Sequence, residues 1–308
     1  MNKFTVTVPA TTANLGVGFD CLGAALTMAN EFQFQVVDNN HKLKVLVQGD
    51  DTYKVGGDEN NLVYRSLLQL YQRLGQTPPN LEITIKLRVP LSRGLGSSAT
   101  AIVGGLVGAN CLAGNPFSRS EIMAMAIAIE GHPDNVVPAL YGDCLLSVAD
   151  GEKWQISPIP WHQEIIPVVA IPNFELSTRE ARGVLPLNYS RSDAIFNISR
   201  MGLLIRGLAT NNGEWLKIAL ADKLHQPYRQ NLITGYEGVR QAAISAGAYG
   251  MVISGAGPTL LALTNRDRVE GVIESIAAAW AKINVQADVR SLSINKLGAK
   301  VFYNTIKS

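Results

Sequence analysis

The sequence contains little cysteine and little histidine, and this scarcity narrows the classes of protein it can represent. Its 308 residues include only 3 cysteines, Cys21, Cys111 and Cys144, and 4 histidines. The cysteines are too few and too scattered for a disulfide framework, which favours a reducing, cytoplasmic setting. The histidines lack the spacing of a zinc site. We therefore expect neither a disulfide-stabilised secreted domain nor a zinc protein.

The sequence shows no excess of charge of one sign, and we expect neither a signal peptide nor a membrane span. The 27 basic and 25 acidic side chains leave a net charge of +2 without a dense basic run, which argues against a nucleic-acid partner. The first residues lack the apolar core of a signal peptide. The uncharged interval from Arg93 to Arg119 contains Gly104-x-x-x-Gly108, a spacing also found in membrane helices. Because that interval opens with glycines and serines and includes Asn110, we predict a buried helix with small packing residues.

What the sequence does contain is a mixture of strand and helix patterns without an internal repeat, which predicts an α+β fold. At ~150 residues per domain, the length of 308 residues indicates two domains. A polar, proline-bearing stretch from Asp150 to Pro160 offers the boundary. We expect domains at residues 1–155 and 156–308.

Alternation of apolar and polar residues predicts the strands. Leu81 to Val89 alternates throughout, and a first strand runs from Phe4 to Val8 and stops at Pro9. Residues 31–37 and 42–48 are predicted to form a hairpin around Asp38-Asn39-Asn40. Further strands are predicted at residues 144–148, 165–171 and 287–294, and on both sides of Gly255–Pro258.

Capping signals and helical periodicity predict the helices. Asn60 is expected to cap a helix that stops at Gly75, and Ser118 with Glu121 forms a capping box for a helix that ends near Glu130. A helix rich in small residues ends near Gly114. Further helices are predicted at residues 178–184, 193–209, 214–224, 234–245 and 269–282.

A glycine-rich segment, Gly94-Leu95-Gly96-Ser97-Ser98-Ala99, joins the clearest strand to the small-residue helix. Glycines allow backbone N–H groups to approach a ligand, and a helix N-terminus favours phosphate. The alternative is a tight turn with a serine N-cap. The segment lacks Walker A spacing, and the acidic residue expected of a dinucleotide-binding fingerprint is missing.

Three other segments combine polar side chains with turn residues. Glu130 to Asn135 places acids and an amide at a helix end, where they could hold a metal and a hydroxyl or simply form a turn. His132 fits a turn or supporting position better than a ligand position. The segments 9–20 and 253–259 each interrupt a strand pattern, and each is equally compatible with a structural loop.

Taken in order, these segments resemble the GHMP kinase family. The family motifs are Pro-x-x-x-Asn-x-Gly, Pro-x-x-x-Gly-Leu-Gly-Ser-Ser-Ala and Gly-x-Gly-Pro, which correspond here to Pro9–Gly16, Pro90–Ala99 and Gly255–Pro258. The resemblance implies a two-domain fold with a ribosomal S5 domain 2-like N-terminal half and a ferredoxin-like C-terminal half. Residues 9–23, 130–136 and 225–229 further imply transfer of the ATP γ-phosphate to the side-chain hydroxyl of L-homoserine, a step in threonine biosynthesis.

The resemblance also assigns roles to individual residues. Catalytic positions would be Asn14, Thr178 and Arg182, with catalysis by alignment and charge neutralisation rather than by a dedicated base. Ser98 and Glu130 would hold Mg²⁺. L-homoserine would contact Asn14, Asp20, Asp134, Asn135, Arg182 and Arg229. ATP would contact the loop Pro90, Leu91, Ser92, Arg93, Gly94, Leu95, Gly96, Ser97, Ser98, Ala99 and Thr100.

Two other functions remain open at this stage. One is another small-molecule kinase on the same fold, for example one acting on mevalonate. The other is a ligand-binding regulator that keeps the fold without catalysis. The paired arginines favour an amino-acid substrate, and the intact phosphate loop argues against a regulator. We expect a cytoplasmic homodimer.

Overall fold

The computed structural model describes residues 3–38 and 42–303, and these form an α+β fold with two sheets. One hydrophobic core lies in the first part of the chain, a second lies in the second part, and a third joins residues of both parts. The first part of the chain contains β1 (Lys3–Ala13), β2 (Leu22–Val36), β3 (Leu43–Gly49), α1 (Leu62–Leu74), β4 (Leu81–Leu87), α2 (Ser97–Leu112), α3 (Arg119–Glu130), α4 (Pro133–Tyr141), β5 (Cys144–Asp150) and β6 (Lys153–Pro158). The second part contains β7 (Ile166–Pro172), α5 (Thr178–Gly183), α6 (Arg191–Thr210), α7 (Gly213–Ala219), α8 (Gln226–Arg229), α9 (Tyr236–Ser245), β8 (Gly250–Ile253), β9 (Leu260–Thr264), α10 (Val269–Ala281), β10 (Ala287–Ser291) and β11 (Lys300–Tyr303).

Two sheets organise these elements. The first has 7 strands in the order β11-β1-β2-β4-β3, extended by β5, which pairs with β2, and by β6, which pairs with β5. The second has 4 antiparallel strands in the order β10-β7-β9-β8. Helices α1 to α4 supply apolar side chains to the first core, and α9 and α10 supply them to the second. The predicted α+β class is confirmed.

The hairpin predicted from residues 31–37 and 42–48 is wrong. Strand β4 lies between β2 and β3, and it pairs antiparallel with β2 and parallel with β3. The parallel pair is joined through α1, as a crossover connection requires. The predicted turn at Asp38-Asn39-Asn40 falls partly outside the described residues. Alternation identified both strands, but it carries no information about which strand is the partner.

Several element bounds also differ from the predictions. Strand β1 does not stop at Pro9 but continues to Ala13, with a shift in its register against β2 between Pro9 and Thr11. Proline is tolerated in a strand at such an irregularity. Asn61, rather than Asn60, caps α1 by accepting a hydrogen bond from the Val63 amide at 3.0 Å. Helix α7 ends at Ala219, five residues earlier than predicted.

The uncharged helix α2 is buried in the first core, as predicted. A Cβ at Gly104 would lie 2.4 Å from the ring of Phe32, and one at Gly108 would lie 2.3 Å from the ring of Phe34. Glycine at these positions therefore allows α2 to lie directly against the aromatic side chains of β2. Among the residues that the structure describes, no helix is both long and apolar enough to span a bilayer.

The predicted domain boundary between residues 155 and 156 falls inside β6. This strand pairs with β5 in the first sheet as far as Pro158, and β11, near the end of the described chain, also joins that sheet beside β1. The bounds 1–155 and 156–308 stay a prediction.

Candidate active site

A cleft of about 700 Å³ is lined by residues of both parts of the chain. It receives the end of β1, the loop before α2, the start of α4, helix α5 and the loop between β8 and β9. The cleft is also lined by every side chain predicted for catalysis, metal binding or amino-acid binding, namely Asn14, Asp20, Ser98, Glu130, Asp134, Asn135, Thr178, Arg182 and Arg229. Residues that lie far apart in the sequence therefore meet in one cavity.

The loop before α2 (residues 90–96, here the glycine loop) is held tightly against the other two motif segments. Gly94 and Gly96 have φ values of 76° and 66°, in the left-handed region. A Cβ at Gly94 would lie 2.3 Å from the Ser254 carbonyl oxygen, and one at Gly96 would lie 2.0 Å from the Thr11 hydroxyl. The Ser254 hydroxyl donates to the Gly94 carbonyl at 2.7 Å. Glycine is therefore required at both positions by conformation and by space.

The N-terminus of α2 opens toward the cleft without a capping side chain. Its N-cap is Gly96, and no side chain accepts a hydrogen bond from the first turn. Ser97 and Ser98, the first two helical residues, line the cavity. Unpaired N–H groups at the positive end of a 16-residue helix form a favourable site for a phosphate group.

The predicted ATP-contacting segment divides into cleft-lining and interior residues. Leu91, Ser92, Arg93, Gly94, Gly96, Ser97 and Ser98 line the cleft. Leu95, Ala99 and Thr100 are fully buried, and Pro90 lines a separate cavity of about 400 Å³. The Arg93 guanidinium donates to the carbonyls of Leu91, Pro172 and Asn173 at 3.0–3.1 Å. Its side chain thus anchors the glycine loop to the end of β7.

Ser98 and Glu130 lie together beside the N-terminus of α2. The Ser98 hydroxyl donates to Glu130 Oε1 at 2.6 Å. Both residues line the cavity, and both offer the oxygen ligands that Mg²⁺ prefers. Mg²⁺ is commonly bound by one or two protein oxygens together with water and substrate phosphates. The two side chains therefore fit a magnesium ion bound beside the α2 N-terminus.

Asp20 and Arg182 form a bidentate ion pair across the cleft. Arg182 Nη1 donates to Asp20 Oδ2 at 3.0 Å, and Nη2 donates to Oδ1 at 2.7 Å. Burial opposes the charge of Arg182, but the hydrogen bond to Asp20 and the charges of Asp20 and Asp134 outweigh it and raise the arginine pKa. Thr178, one helical turn before Arg182 on α5, also lines the cavity.

Arg229 is buried behind Arg182, with only 2% of its surface exposed. Its Nε donates to the Ala181 carbonyl at 3.0 Å, and Nη1 donates to the Gly255 carbonyl at 3.1 Å. Burial, together with the nearby Arg182 charge, lowers the arginine pKa. Two guanidinium groups therefore converge on one side of the cleft at an electrostatic cost.

Asp134, at the start of α4, is buried, and two neighbouring side chains contact one of its carboxylate oxygens. His132 Nδ1 lies 2.5 Å from Asp134 Oδ1, and the Asn135 amide donates to the same oxygen at 3.2 Å. Burial opposes protonation of His132, but the hydrogen bond to Asp134 and the charges of Asp134 and Glu130 outweigh it and raise the histidine pKa. His132 therefore supports Asp134.

Asp20, His132 and Asp134 have ligand atoms within 4.8 Å of one another, a spacing that can hold a cation. Imidazole suits Mg²⁺ poorly, and Asp20 already binds Arg182 through both oxygens. An organic ammonium group is a better match for these carboxylates than magnesium is.

Asn14 joins the first and third motif segments. Its Nδ2 donates to the Gly255 carbonyl at 2.9 Å, and its Oδ1 accepts from the Asp20 amide at 3.0 Å. Asn135 has a comparable role, because its Oδ1 accepts from the Thr11 hydroxyl at 2.7 Å. Each amide group keeps a second N–H and a second lone pair that a ligand hydroxyl could use.

Sequence reasoning missed a group of cleft-lining residues that contains Lys54 and Glu175. Lys54 forms ion pairs with Asp51 and with Glu175, and Glu175 also pairs with Arg93 at 3.1 Å. Lys54 comes from the first part of the chain and Glu175 from the second, so no local pattern signals their contact. Beside them, an apolar wall is formed by Val55, Leu62, Val63, Ile85 and Leu87.

Comparison with protein-family models identifies the family to which this chain belongs. The GHMP kinases N terminal domain model matches residues 61–143, and the GHMP kinases C terminal model matches residues 203–282. The first range spans the glycine loop, α2 and the start of α4, and the second spans Arg229 and the loop between β8 and β9. The two matched ranges together cover more than half of the chain and lie on both sides of the cleft.

Individual relatives narrow the class. The homoserine kinase of Crocosphaera subtropica is 62% identical over 98% of this chain and 98% of its own, and that of Nostoc punctiforme is 59% identical over 98% and 99%. The crystal structure of homoserine kinase from Cytophaga hutchinsonii superposes with a TM-score of 0.89 at 30% identity, covering 98% of both chains. The chain belongs to the homoserine kinases of the GHMP kinase family. The predicted family and fold are thereby confirmed.

Proposed function

We propose that this chain catalyses transfer of the γ-phosphate of ATP to the side-chain hydroxyl of L-homoserine, giving O-phospho-L-homoserine for threonine biosynthesis. The observation that carries this proposal is the meeting, in one cleft, of an uncapped helix N-terminus with an acid pair and an arginine pair. The first feature suits a phosphate chain, and the second suits both charges of an amino acid.

ATP occupies the end of the cleft beside α2 in this proposal. Backbone N–H groups of Gly94 to Ser98 bind its phosphates, and the adenine ring packs on the apolar wall. Mg²⁺, held by Ser98 and Glu130, neutralises the phosphate charge when bound. The pairing of the Ser98 hydroxyl with Glu130 supports this assignment, since it keeps both oxygens beside the helix N-terminus.

L-homoserine occupies the opposite end. Its carboxylate binds Arg182 and Arg229, and its ammonium binds Asp20 and Asp134. Asn14 and Asn135 orient the hydroxyl toward the γ-phosphate, and Thr178 approaches the reacting groups from α5. Substrate binding then exchanges partners, because the substrate carboxylate takes the place of Asp20 on Arg182 while the ammonium binds Asp20.

Catalysis follows from alignment and charge. Phosphoryl transfer passes through a loose transition state in which little covalent chemistry is required of the protein. The α2 N-terminus stabilises charge on the transferred group, and the amide groups of Asn14 and Asn135 hold the attacking oxygen in line. No side chain needs to act as a general base in this scheme.

A direct assay tests the proposal. The purified chain is incubated with ATP, Mg²⁺ and L-homoserine, and the phosphorylated product is identified by mass spectrometry. We expect ATP consumption that depends on homoserine and absent product with mevalonate or galactose. Turnover with mevalonate but not homoserine would assign another kinase activity. ATP and homoserine binding without turnover would assign a ligand-binding regulator instead.

We also propose a cytoplasmic homodimer. The sequence has only three cysteines, Cys21, Cys111 and Cys144, and this sparse use suits a reducing compartment. Leu187, Ile195 and Ile198 expose 98%, 59% and 73% of their surface, and exposed apolar side chains favour association. Sedimentation velocity at several concentrations tests the oligomeric state, and a monomer at all concentrations would contradict it.

A further inference from the structure

The two cleft arginines share an aromatic neighbour, Phe19. The centre of its ring lies 5.1 Å from Arg229 Cζ and 5.8 Å from Arg182 Cζ. Both distances fall in the range of cation–π contact. A guanidinium gains from the negative face of an aromatic ring, so one ring can partly offset the repulsion between two arginines.

Phe19 is held in place from outside the cleft. Its ring stacks on His225 with centres 5.1 Å apart and planes inclined by 20°. His225 is fully buried, and its Nε2–H donates to the Gly16 carbonyl at 2.8 Å. Its Nδ1 lies 3.3 Å from Arg229 Nη1, which donates to it. The histidine thus fixes the ring, the loop that carries it and one of the arginines.

Phe19 does not line the cleft, whereas its neighbour Asp20 does. The ring is half-buried beside the cavity rather than part of its lining. Its contacts lead to the substrate side only through Arg182 and Arg229. A residue in this position is placed to fix where the two guanidinium groups lie.

We propose that Phe19 is a positioning residue that determines how tightly the amino-acid substrate is bound. Its ring is the common platform that orients Arg182 and Arg229 toward the substrate carboxylate. This inference rests on the proposed function, since it takes the arginine pair as the carboxylate site. Leucine at this position would fill much of the same space without the charge distribution of an aromatic ring, whereas tyrosine would retain it.

The experiment compares Phe19→Leu and Phe19→Tyr in steady-state kinetics, varying homoserine and ATP in turn. We expect Phe19→Leu to raise KM for homoserine roughly fivefold to thirtyfold, with kcat and KM for ATP nearly unchanged. Phe19→Tyr restores a homoserine KM near that of the parent chain. The control is Phe117→Leu, because Phe117 also carries an arginine on its ring, with Arg73 Cζ at 5.5 Å, but is not part of the cleft.

Replacement of Phe19 by phenylalanines with one, two and three ring fluorines separates electrostatics from shape and does not depend on Phe19→Leu being stable. Each fluorine weakens the negative face with little change in size, so KM for homoserine should rise stepwise along the series. An unchanged KM across the series would overturn the proposal. So would equal losses in Phe19→Leu and Phe19→Tyr, or a parallel loss of kcat and both KM values, since these indicate packing alone. Absence of homoserine turnover in the parent chain would instead refute the proposed function.

Discussion

Replacing Arg182 with lysine tests the recognition of the substrate carboxylate most directly. Arg182 presents a planar fork that already binds a carboxylate, that of Asp20, at 2.7 and 3.0 Å. A lysine ammonium keeps the charge but cannot form two parallel hydrogen bonds with one carboxylate. If the substrate carboxylate uses the same fork, Arg182→Lys removes one charged hydrogen bond from the complex.

The magnitude follows from the exposure of the side chain. A hydrogen bond to a charged group contributes about 1.5–3 kcal/mol. The Arg182 side chain is 38% exposed, so solvent screening favours the lower part of that range. A loss of about 1.5–2 kcal/mol corresponds to roughly a tenfold to thirtyfold decrease in kcat/KM for homoserine. KM for ATP should stay within about twofold, since ATP occupies the other end of the cleft in the proposed complex.

The assay is steady-state kinetics of Arg182→Lys with each substrate varied at saturating levels of the other. Arg179→Lys is the matched control, because Arg179 is exposed on the same short helix and is not part of the cleft. Unchanged homoserine efficiency in Arg182→Lys would refute the assignment of the fork to the substrate carboxylate. Equal losses for homoserine and ATP would also refute it, because they would indicate a disturbed helix α5 rather than a lost contact.

Three further predictions concern the metal, the packing of α2 and the charge of the site. Glu130→Gln should raise the Mg²⁺ concentration needed for half-maximal turnover while leaving the midpoint of thermal unfolding unchanged. An unaltered Mg²⁺ titration would show that this carboxylate does not bind the metal. Gly104→Ala should lower the free energy of unfolding by about 1–2 kcal/mol, because its Cβ would meet an aromatic ring at 2.4 Å. Gly202→Ala, where a Cβ meets nothing within 4 Å, should raise the free energy of unfolding by about 0.5–1 kcal/mol. Denaturant titration measures both changes, and equal shifts would contradict the packing argument. Because the pKa of His132 is raised, its pairing with Asp134 stabilises the fold fully below about pH 6.5 and loses that effect as the pH rises through the folded-state pKa. The difference in free energy of unfolding between the parent chain and His132→Asn should therefore shrink from pH 5.5 to pH 8.5. A difference that does not change with pH would contradict this prediction.

Local sequence patterns predicted the elements that local physics determines. The capping box at Ser118 and Glu121 is present, and α3 ends at Glu130 as expected. Leu81, Ile83 and Ile85 are all buried on one face of β4. Caps and alternation depend on residues within a few positions of one another, so a single sequence contains the information needed to place them.

Partners that lie far apart in the sequence could not be predicted in the same way. The choice of β4 rather than β2 as the neighbour of β3 depends on the path of the crossover, not on the strands themselves. Lys54 and Glu175, which contact each other, are 121 residues apart in the sequence. Asp20 and Arg182 are 162 residues apart. The motif resemblance placed Asp20 and Arg182 near one substrate, but it did not indicate that the two side chains bind each other.

The direct contact between Asp20 and Arg182 has a consequence for substrate choice. A ligand that binds Arg182 through a carboxylate must displace Asp20, and the released Asp20 then needs a new cation. In the proposed complex an amino acid supplies both charges, because its carboxylate would replace Asp20 on the guanidinium while its ammonium would pair with Asp20 and Asp134. A hydroxy acid without an amine, such as mevalonate, offers only the carboxylate and would leave Asp20 uncompensated beside the buried Asp134. Leaving a partly buried charge unpaired costs more than the missing contact alone would contribute. In the proposed complex, the ion pair would therefore disfavour carboxylates that lack an ammonium group.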